Sequence, residues 1–519
     1  MIRPCAPFAA VLFALLLVVP APAAPPEGLA KTLDELIDGP DYKNASWGVL
    51  VADARTGETV YARNPNALLA PASVTKLFSG AAALVALGPD HTQDTIVYQR
   101  GPVLKNTLRG DLVLVASGDL MLGGRTKDGK TVFKDKDHTY ANSGFDAELT
   151  DTDPLAGLDA LAKQVRAAGI TRVDGDVLID DRLFVRTRSS GSGPDVVSPI
   201  TVNDNVVDVV VTPGAEEGAP AKVVMRPATT FFDMDALVTT GPEKAPANVQ
   251  LLAVGANQFA VRGTVPKGGK PHVRIFGVDE PALFARALFI EALRRNGVQA
   301  QAAVLRPAGA RLPAKSDYEK LQKVATFTSA PFKDALTVTL KVSNNLYAST
   351  LPCLVAAAKG QTTPEFGLRE ERRILKELGV DTDAVCFGGG AGGAPADHVS
   401  AAATVQLIRG MAKRPEWEAY KAALPVLGVD GTLADVVNED SPARGKVFAK
   451  TGTLIWYDAA NERLLLKSKA IAGTMTTRAG TELHFSIMVN NVPLPAGVTA
   501  TREGKVLGRL CERLYEHGP

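Results

Sequence analysis

Apolar and polar positions follow three textures along the chain. Near the start, "SWGVLVADARTGETVYARNPNALLAPAS" holds two short β-like runs, Val49–Asp53 and Thr59–Ala62, around a turn at Ala54–Gly57. The stretch that begins at Ser73 is dense in Ala, Leu and Val, which predicts a buried helix stopped by Gly88-Pro89. From about His91 the pattern breaks up. "DTIVYQRG", "TLRGDLVLVASGD", "VDGDVLIDDRLF" and "VVDVVVTPG" are strand-like runs between Gly, Asp and Pro turns. One amphipathic helix, "LAGLDALAKQVRAAG", lies among them, with polar loops at "YANSGFDAELTDTD" and "TRSSGSGPD".

Helical periodicity returns near Asp279. "PALFARALFIEALRRNG" closes at Gly297, and "APFKDALTVTLKVSNNLYASTLPCLVAAAKG" and "PEFGLREERRILKELG" follow. The last hundred or so residues carry strand-like "GKVFAKTGT", "RLLLKSK" and "ELHFSIMVN", then a terminal helix, "KVLGRLCERLYEHG". No fixed-period repeat is visible. The simplest organisation is one mixed α/β domain built from both ends of the chain, residues 24–90 and 316–519. A β-rich module over 91–315, with a nested subdomain at about 206–275, interrupts it. Insertion is cheap where the flanking chain ends lie close together.

Composition narrows the function class. The 519 residues are 46% hydrophobic and 22% charged, an ordinary globular balance. A net charge of +1 offers no broad electrostatic surface for nucleic acid or an anionic membrane. The N-terminal "MIRPCAPFAAVLFALLLVVPAPAAPPEG" has Arg3, an apolar run from Phe8 to Val19 and a small-residue site at Ala21-Pro22-Ala23. It reads as an export signal over residues 1–23, since a membrane-spanning helix needs roughly 18 apolar residues. An exported, periplasmic protein without a stable membrane anchor is expected. Cleavage removes Cys5 and leaves Cys353, Cys386 and Cys511, an odd number. One disulfide and buried free thiols are both open readings.

Three short strings carry candidate chemistry. In the first, Ser73 and Lys76 are three residues apart, which puts both side chains on one face of a helix start. A serine there sits where backbone N–H groups favour developing negative charge, and a neutral lysine can take its proton. Neutrality requires burial or a neighbouring cation. Alone, the pair is equally a capping serine and a solvated lysine. In "KVSNNLYAS", the Ser343 hydroxyl can relay a proton, and the Asn345 amide can grip both the lysine and a substrate carbonyl. Ser-Asn-Asn is also a natural helix cap. In "FAKTGTL", Lys450 offers a fixed charge for a carboxylate, Thr451 a hydroxyl, and Gly452 a place for close backbone approach ahead of Thr453.

The three strings together match the S-x-x-K, S-D-N and K-T-G set of penicillin-binding proteins and class A β-lactamases, with Ser-Asn-Asn as the middle member. The chain resembles the low-molecular-mass class C penicillin-binding proteins, the D-alanyl-D-alanine carboxypeptidase/endopeptidase family, over almost the whole mature chain. "APASVTKLFSGAAAL", "KVSNNLYAS", "LPVLGVDGTLAD" and "AKTGTL" carry the resemblance. It implies a penicillin-binding, β-lactamase-like α/β (α+β) domain, an antiparallel sheet with helices, holding a large insertion of two subdomains. It also implies that Ser73 is the acylated nucleophile, Lys76 the general base, and Ser343 and Asn345 the opposite wall. Lys450 and Thr451 then bind the terminal carboxylate, and the N–H groups of Ser73 and Thr453 form the oxyanion hole. In the family an acidic residue of the insertion faces the site; Asp180 in "LIDDRLF" matches it, with Phe184 nearby. The resemblance further implies substrates that are peptidoglycan stem peptides ending in D-Ala-D-Ala or cross-linked, covalent binding of β-lactams, and no need for a metal or organic cofactor.

Three stretches depart from the pattern: "GGGAGGAPADH", "IWYDAANERLLLKSKAIAG" and "RTKDGKTVFKDKDHTYANSGFDAEL". None is expected to touch the motif residues. "GGGAGG" also fits G-x-G-x-x-G, but Ala394-Pro395 blocks the helix a dinucleotide site needs. The six histidines lack zinc spacing and no G-x-S-x-G elbow exists. The rival functions are a catalytically weak wall-binding scaffold on the same fold and a serine β-lactamase or esterase.

Overall fold

In the computed structural model, which describes residues 28–143, 146–305 and 311–519, the two ends of the chain close on one sheet. The export signal expected over residues 1–23 lies outside the described residues. Five antiparallel strands run in the order Thr59–Arg63, Ser46–Asp53, Glu482–Pro493, Arg463–Thr476 and Val447–Asp458. Side chains alternate across this sheet, as the period of two requires. Ile471, Phe485, Ile487 and Val489 point into a core shared with the first and last helices, Leu29–Ile37 and Thr501–His517. Ala470, Ala472 and Met488 point the other way, into a core with the helix Thr75–Leu87. Small residues on that face let the helix sit low on the sheet. The helix is buried on nearly every side because Phe332–Lys341, Asn345–Ala357 and Ala401–Met411 complete the layer.

Two local breaks place the chemistry. The helix expected from Ser73 starts at Thr75; Ala72–Val74 forms a single 3-10 turn ahead of it, with Ala72 at φ +47°. The apolar run around "KVSNNLY" is two helices, interrupted at Ser343, whose φ is +64°. The Asn344 side chain caps the second helix by accepting from the Tyr347 N–H at 3.0 Å.

The module between the two catalytic segments has its own sheet. Val177–Asp180 runs parallel to Asp111–Val115, which is antiparallel to Asp94–Arg100. The fourth strand is Gln322–Thr328, paired with Asp94–Arg100. The segment after residue 315, expected with the catalytic domain, therefore belongs to the module's sheet, and the catalytic helices resume at Phe332. A strand's partner decides its layer, and that partner is a long way off in sequence. Ala156–Ala167 and Pro281–Arg295 cover this sheet through Leu158, Leu161, Phe284 and Leu288. Within residues 206–277 lie two three-stranded sheets, one around Val206–Thr212 and one around Gln258–Pro266. Cys353 and Cys511 are buried thiols and Cys386 is an exposed one.

Candidate active site

Ser73 is held from beneath. Ala70, three residues earlier, exchanges hydrogen bonds with the Asn490 side chain at 2.7 and 3.0 Å, and its carbonyl also accepts from Ser468 Oγ at 2.6 Å. These bonds tie the turn that carries Ser73 to two sheet strands. Gly452 holds the turn from the side: a Cβ there would lie 2.4 Å from the Pro71 carbonyl oxygen and 3.2 Å from Ser73 N. The glycine was expected to admit substrate backbone; it also admits the protein's own turn.

Lys76 is fully buried, and its Nζ meets three oxygens: Ser73 Oγ at 2.8 Å, Asn345 Oδ1 at 2.6 Å and the Ala391 carbonyl at 2.7 Å. Two of these oxygens can only accept. A neutral amine has two N–H bonds and one lone pair, so the two carbonyl-type oxygens take the hydrogens and the lone pair faces the Ser73 hydroxyl. The neutral state is favoured, because burial, then the charge of Lys450, push the Lys76 pKa well below the usual lysine range; Asp397 pulls weakly the other way.

Ala391 comes from the "GGGAGG" stretch, which reaches the motif residues after all. Asp397 closes this loop by accepting from the N–H groups of Gly388 and Ala394, each at 2.8 Å. Gly392 (φ +93°) passes so near the Ser73 turn that a Cβ would lie 1.9 Å from the Ala72 carbonyl oxygen. The glycines serve close packing beside the lysine.

The other half of the Asn345 amide is also occupied: Nδ2 donates to the Ser192 carbonyl at 2.9 Å. The polar loop "TRSSGSGPD" thus lies against the Ser343–Asn345 turn, with Ser189 Oγ joined to Ser349 Oγ at 2.9 Å. Ser343 is buried and stands two residues before Asn345 in the same turn.

The strand Val447–Asp458 forms the facing wall. Lys450 is buried, with Nζ donating to the Thr451 carbonyl at 2.9 Å; burial, then Lys469, push its pKa down to about 7. Thr451 Oγ1 is 2.7 Å from Thr432 Oγ1. Lys469 lies opposite Thr453 across the sheet and donates to its hydroxyl at 2.8 Å; burial pushes its pKa to about 8 against the pull of Glu503. Among the described residues none of Lys76, Lys450 and Lys469 makes an ion pair within 4 Å. The site is a file of three lysines without a carboxylate in contact; with Lys76 neutral, Lys450 and Lys469 supply the positive charge, an arrangement suited to an anionic ligand. Lys469 was missed from sequence because its place depends on strand register.

Asp180 does not join this group. Its carboxylate is taken by Arg182 (2.8 Å to Nε) and by the Tyr318 hydroxyl at 2.6 Å, in the inserted module. An arginine two residues on and a tyrosine from a remote turn hold its carboxylate, and among the described residues it makes no hydrogen bond to a motif residue.

The family described as D-Ala-D-Ala carboxypeptidase 3 (S13) matches residues 29–508. The chain is 32% identical over 515 residues to a D-alanyl-D-alanine carboxypeptidase from an Actinomadura species, covering 95% of this chain and 86% of that protein. It is 22% identical over 459 residues to the D-alanyl-D-alanine carboxypeptidase DacB of Haemophilus influenzae, covering 85% of each. The crystal structure of penicillin binding protein 4 (dacB) from Haemophilus influenzae shares the fold with a TM-score of 0.70 at 20% identity, over 93% of this chain and 99% of that one. Its complex with a β-lactam gives a TM-score of 0.66 over the same shares.

Proposed function

The chain belongs to the D-Ala-D-Ala carboxypeptidase 3 (S13) family, and from that premise we propose that Ser73 and Lys76 carry out its acyl transfer. The protein is a serine-type D-Ala-D-Ala peptidase acting on peptidoglycan stem peptides, on a penicillin-binding fold. Ser73 Oγ attacks the carbonyl carbon of the penultimate D-alanine as its proton passes to the Lys76 lone pair. The oxyanion takes hydrogen bonds from the N–H groups of Ser73 and Thr453, the largest stabilising contribution in such sites. The proton held by Lys76 then passes, by way of the Ser343 hydroxyl, to the departing amine. The C–N bond breaks, D-alanine leaves, and water hydrolyses the ester on Ser73. A β-lactam opens onto Ser73 by the same attack.

The observation that carries this reading is the three-oxygen setting of Lys76, which aims its lone pair at Ser73. Lys450 and Thr451 receive the substrate's terminal carboxylate, with Lys469 beside them. An arriving carboxylate pairs with Lys450 and holds it charged, so substrate completes the electrostatics of its own site. A cross-linked stem peptide presents the same D-alanyl carbonyl with a larger leaving amine, so endopeptidase activity uses the same residues. The substrate lies outside the cytoplasm, in agreement with the export signal read at residues 1–23, and we assign the mature protein to the periplasm. Among the described residues no helix is long and apolar enough to cross a membrane.

The test is mass spectrometry of two muropeptides incubated with the mature protein, with Ser73→Ala as control. Loss of one alanine from a pentapeptide establishes the carboxypeptidase, and splitting of a cross-linked dimer the endopeptidase. Product no greater than the control in both arms overturns the proposal and brings the scaffold reading forward.

A further inference from the structure

Behind the Ser343–Asn345 turn lies a second cluster of charged side chains that the reaction above does not use. Arg125, Asp137, His138, Asp204 and Asp208 are buried, and Arg226 closes the group from its edge. Arg125 pairs with Asp137 at 2.7 Å and with Asp204 at 3.0 Å. His138 lies between two carboxylates, Nδ1 2.6 Å from Asp208 and Nε2 3.0 Å from Asp204. Arg226 meets Asp208 at 3.0 Å. Each ring nitrogen of His138 faces a carboxylate, and Nε2 also lies 3.3 Å from the Arg125 Nη2; the two carboxylates favour a ring with hydrogen on both nitrogens. Burial works against that charge, but Asp208, Asp137 and the bond to Asp204 outweigh it and push the imidazole up to about 10. The cluster then balances, with three cations against three carboxylates. Buried charge groups of this kind add little net stability compared with apolar packing; what they fix is geometry.

Two threads lead from the cluster to the catalytic turn. Asp204 Oδ1 accepts from Asn344 Nδ2 at 3.0 Å. Tyr140, two residues after His138 in the same one-turn helix, donates its hydroxyl to the Ser343 carbonyl. Both contacts act on strained backbone. Ser343 has φ +64°, and Asn203, Asp204 and Asn205 have φ +49°, +53° and +53°. Non-glycine residues in this region persist where surrounding contacts over-determine them. The strain thus sits on both sides of the Asp204–Asn344 bond, where the inserted module meets the catalytic domain.

Resting on the proposed role of Asn345 in acylation, we infer that Tyr140, Asp204 and His138 are positioning residues: they hold Ser343 in its left-handed conformation and so aim the Asn345 amide at Lys76. The inserted module is then part of the catalytic apparatus. If the turn relaxes, Asn345 Oδ1 leaves Lys76, one N–H loses its acceptor, and the lone pair no longer points at Ser73. Tyr140 lies within "RTKDGKTVFKDKDHTYANSGFDAEL", the stretch that enlarges the insertion in this chain and was expected to leave the motif residues untouched.

The test compares wild type, Tyr140→Phe, Asp204→Asn and Asn345→Ala for the acylation rate by a fluorescent penicillin, kcat and KM on a D-Ala-D-Ala peptide, the pH profile of acylation, and the thermal midpoint. Tyr140→Phe removes one oxygen from a half-buried ring and keeps its packing, so it answers the question even if Asp204→Asn fails to fold. The expected result for Tyr140→Phe is an acylation rate and a kcat about tenfold lower, as for one lost hydrogen bond felt in the transition state. KM changes less than about twofold, and the acid limb of the pH profile moves upward as Lys76 gains access to water. The groups facing Lys76 are Lys450 and Asp397, and neither is altered. A lowered thermal midpoint with wild-type acylation and pH profile overturns the inference and leaves a structural cluster. Asn345→Ala separates the two layers. If it acylates normally, the proposed role of Asn345 fails; if it is inactive while Tyr140→Phe is unchanged, only the positioning role fails.

Discussion

Glu371 sits on the helix Pro364–Glu377 with its side chain buried and Oε1 without a hydrogen-bond partner. Burial, with a smaller push from Asp397, raises its pKa from 4.5 to about 8. The folded protein therefore holds this proton through neutral pH, while the unfolded chain releases it above its ordinary value. Stability is unaffected below pH 4.5, falls as pH rises because the unfolded state binds fewer protons, and levels off above about 8. The slope is about 1.4 kcal/mol per pH unit once the unfolded carboxyl is fully ionised. Glu371→Gln keeps the shape and has no proton to lose. Between pH 5 and 7 the wild type is expected to lose about 2.5 kcal/mol relative to the variant. Urea unfolding at pH 5, 6 and 7 measures this directly, with the slope in urea checked to be constant. Parallel pH curves for the two proteins refute the reasoning. The neutral state also serves the site, since an ionised Glu371 behind Asp397 adds negative potential on the side of Lys76 and favours the ammonium form.

Ser73→Ala is expected to abolish covalent penicillin labelling, read by gel fluorescence, while the protein stays folded. Burial, then the charge of Lys469, hold the Lys450 pKa down at about 7; Lys469→Met removes the smaller of the two causes, so Lys450 stays charged to somewhat higher pH, and the rise in KM for a D-Ala-D-Ala peptide above neutral pH is expected to move upward by less than about one pH unit. Gly452→Ala places a Cβ 2.4 Å from the Pro71 carbonyl and must push the nucleophile turn away; acylation is expected to fall about a hundredfold or more, with a thermal shift of only a few degrees.

The three motifs were legible because each is local. Ser73 and Lys76 are three residues apart, and a 3-10 turn leading into a helix brings them to 2.8 Å as well as the expected single helix would. In Ser-Asn-Asn both readings hold at once: Asn344 caps the helix, while Asn345 binds Lys76. What stayed hidden depends on distant pairing. Lys469 reaches Thr453 only through hairpin register. Gln322–Thr328 belongs to the inserted module only because it pairs with Asp94–Arg100. Asp180 carried the right residue type, but Arg182 and Tyr318 claim its carboxylate. The glycines of "GGGAGG" make sense only beside the turn they pack against.

The central pairing of the catalytic sheet has a consequence for the order in which the protein is made. Ser46–Asp53 can hydrogen-bond to Glu482–Pro493 only after nearly the whole chain has been synthesised. Until then Ala70 lacks Asn490, and the nucleophile turn lacks the strand that carries Gly452 and Lys450. The inserted module, whose sheet closes at Thr328, can fold first and present Tyr140 and Asp204 as a waiting template. Pairings of such long range form slowly. In a wall-cutting peptidase built this way the turn that carries Ser73 is fully supported only once the last strand of the sheet has docked.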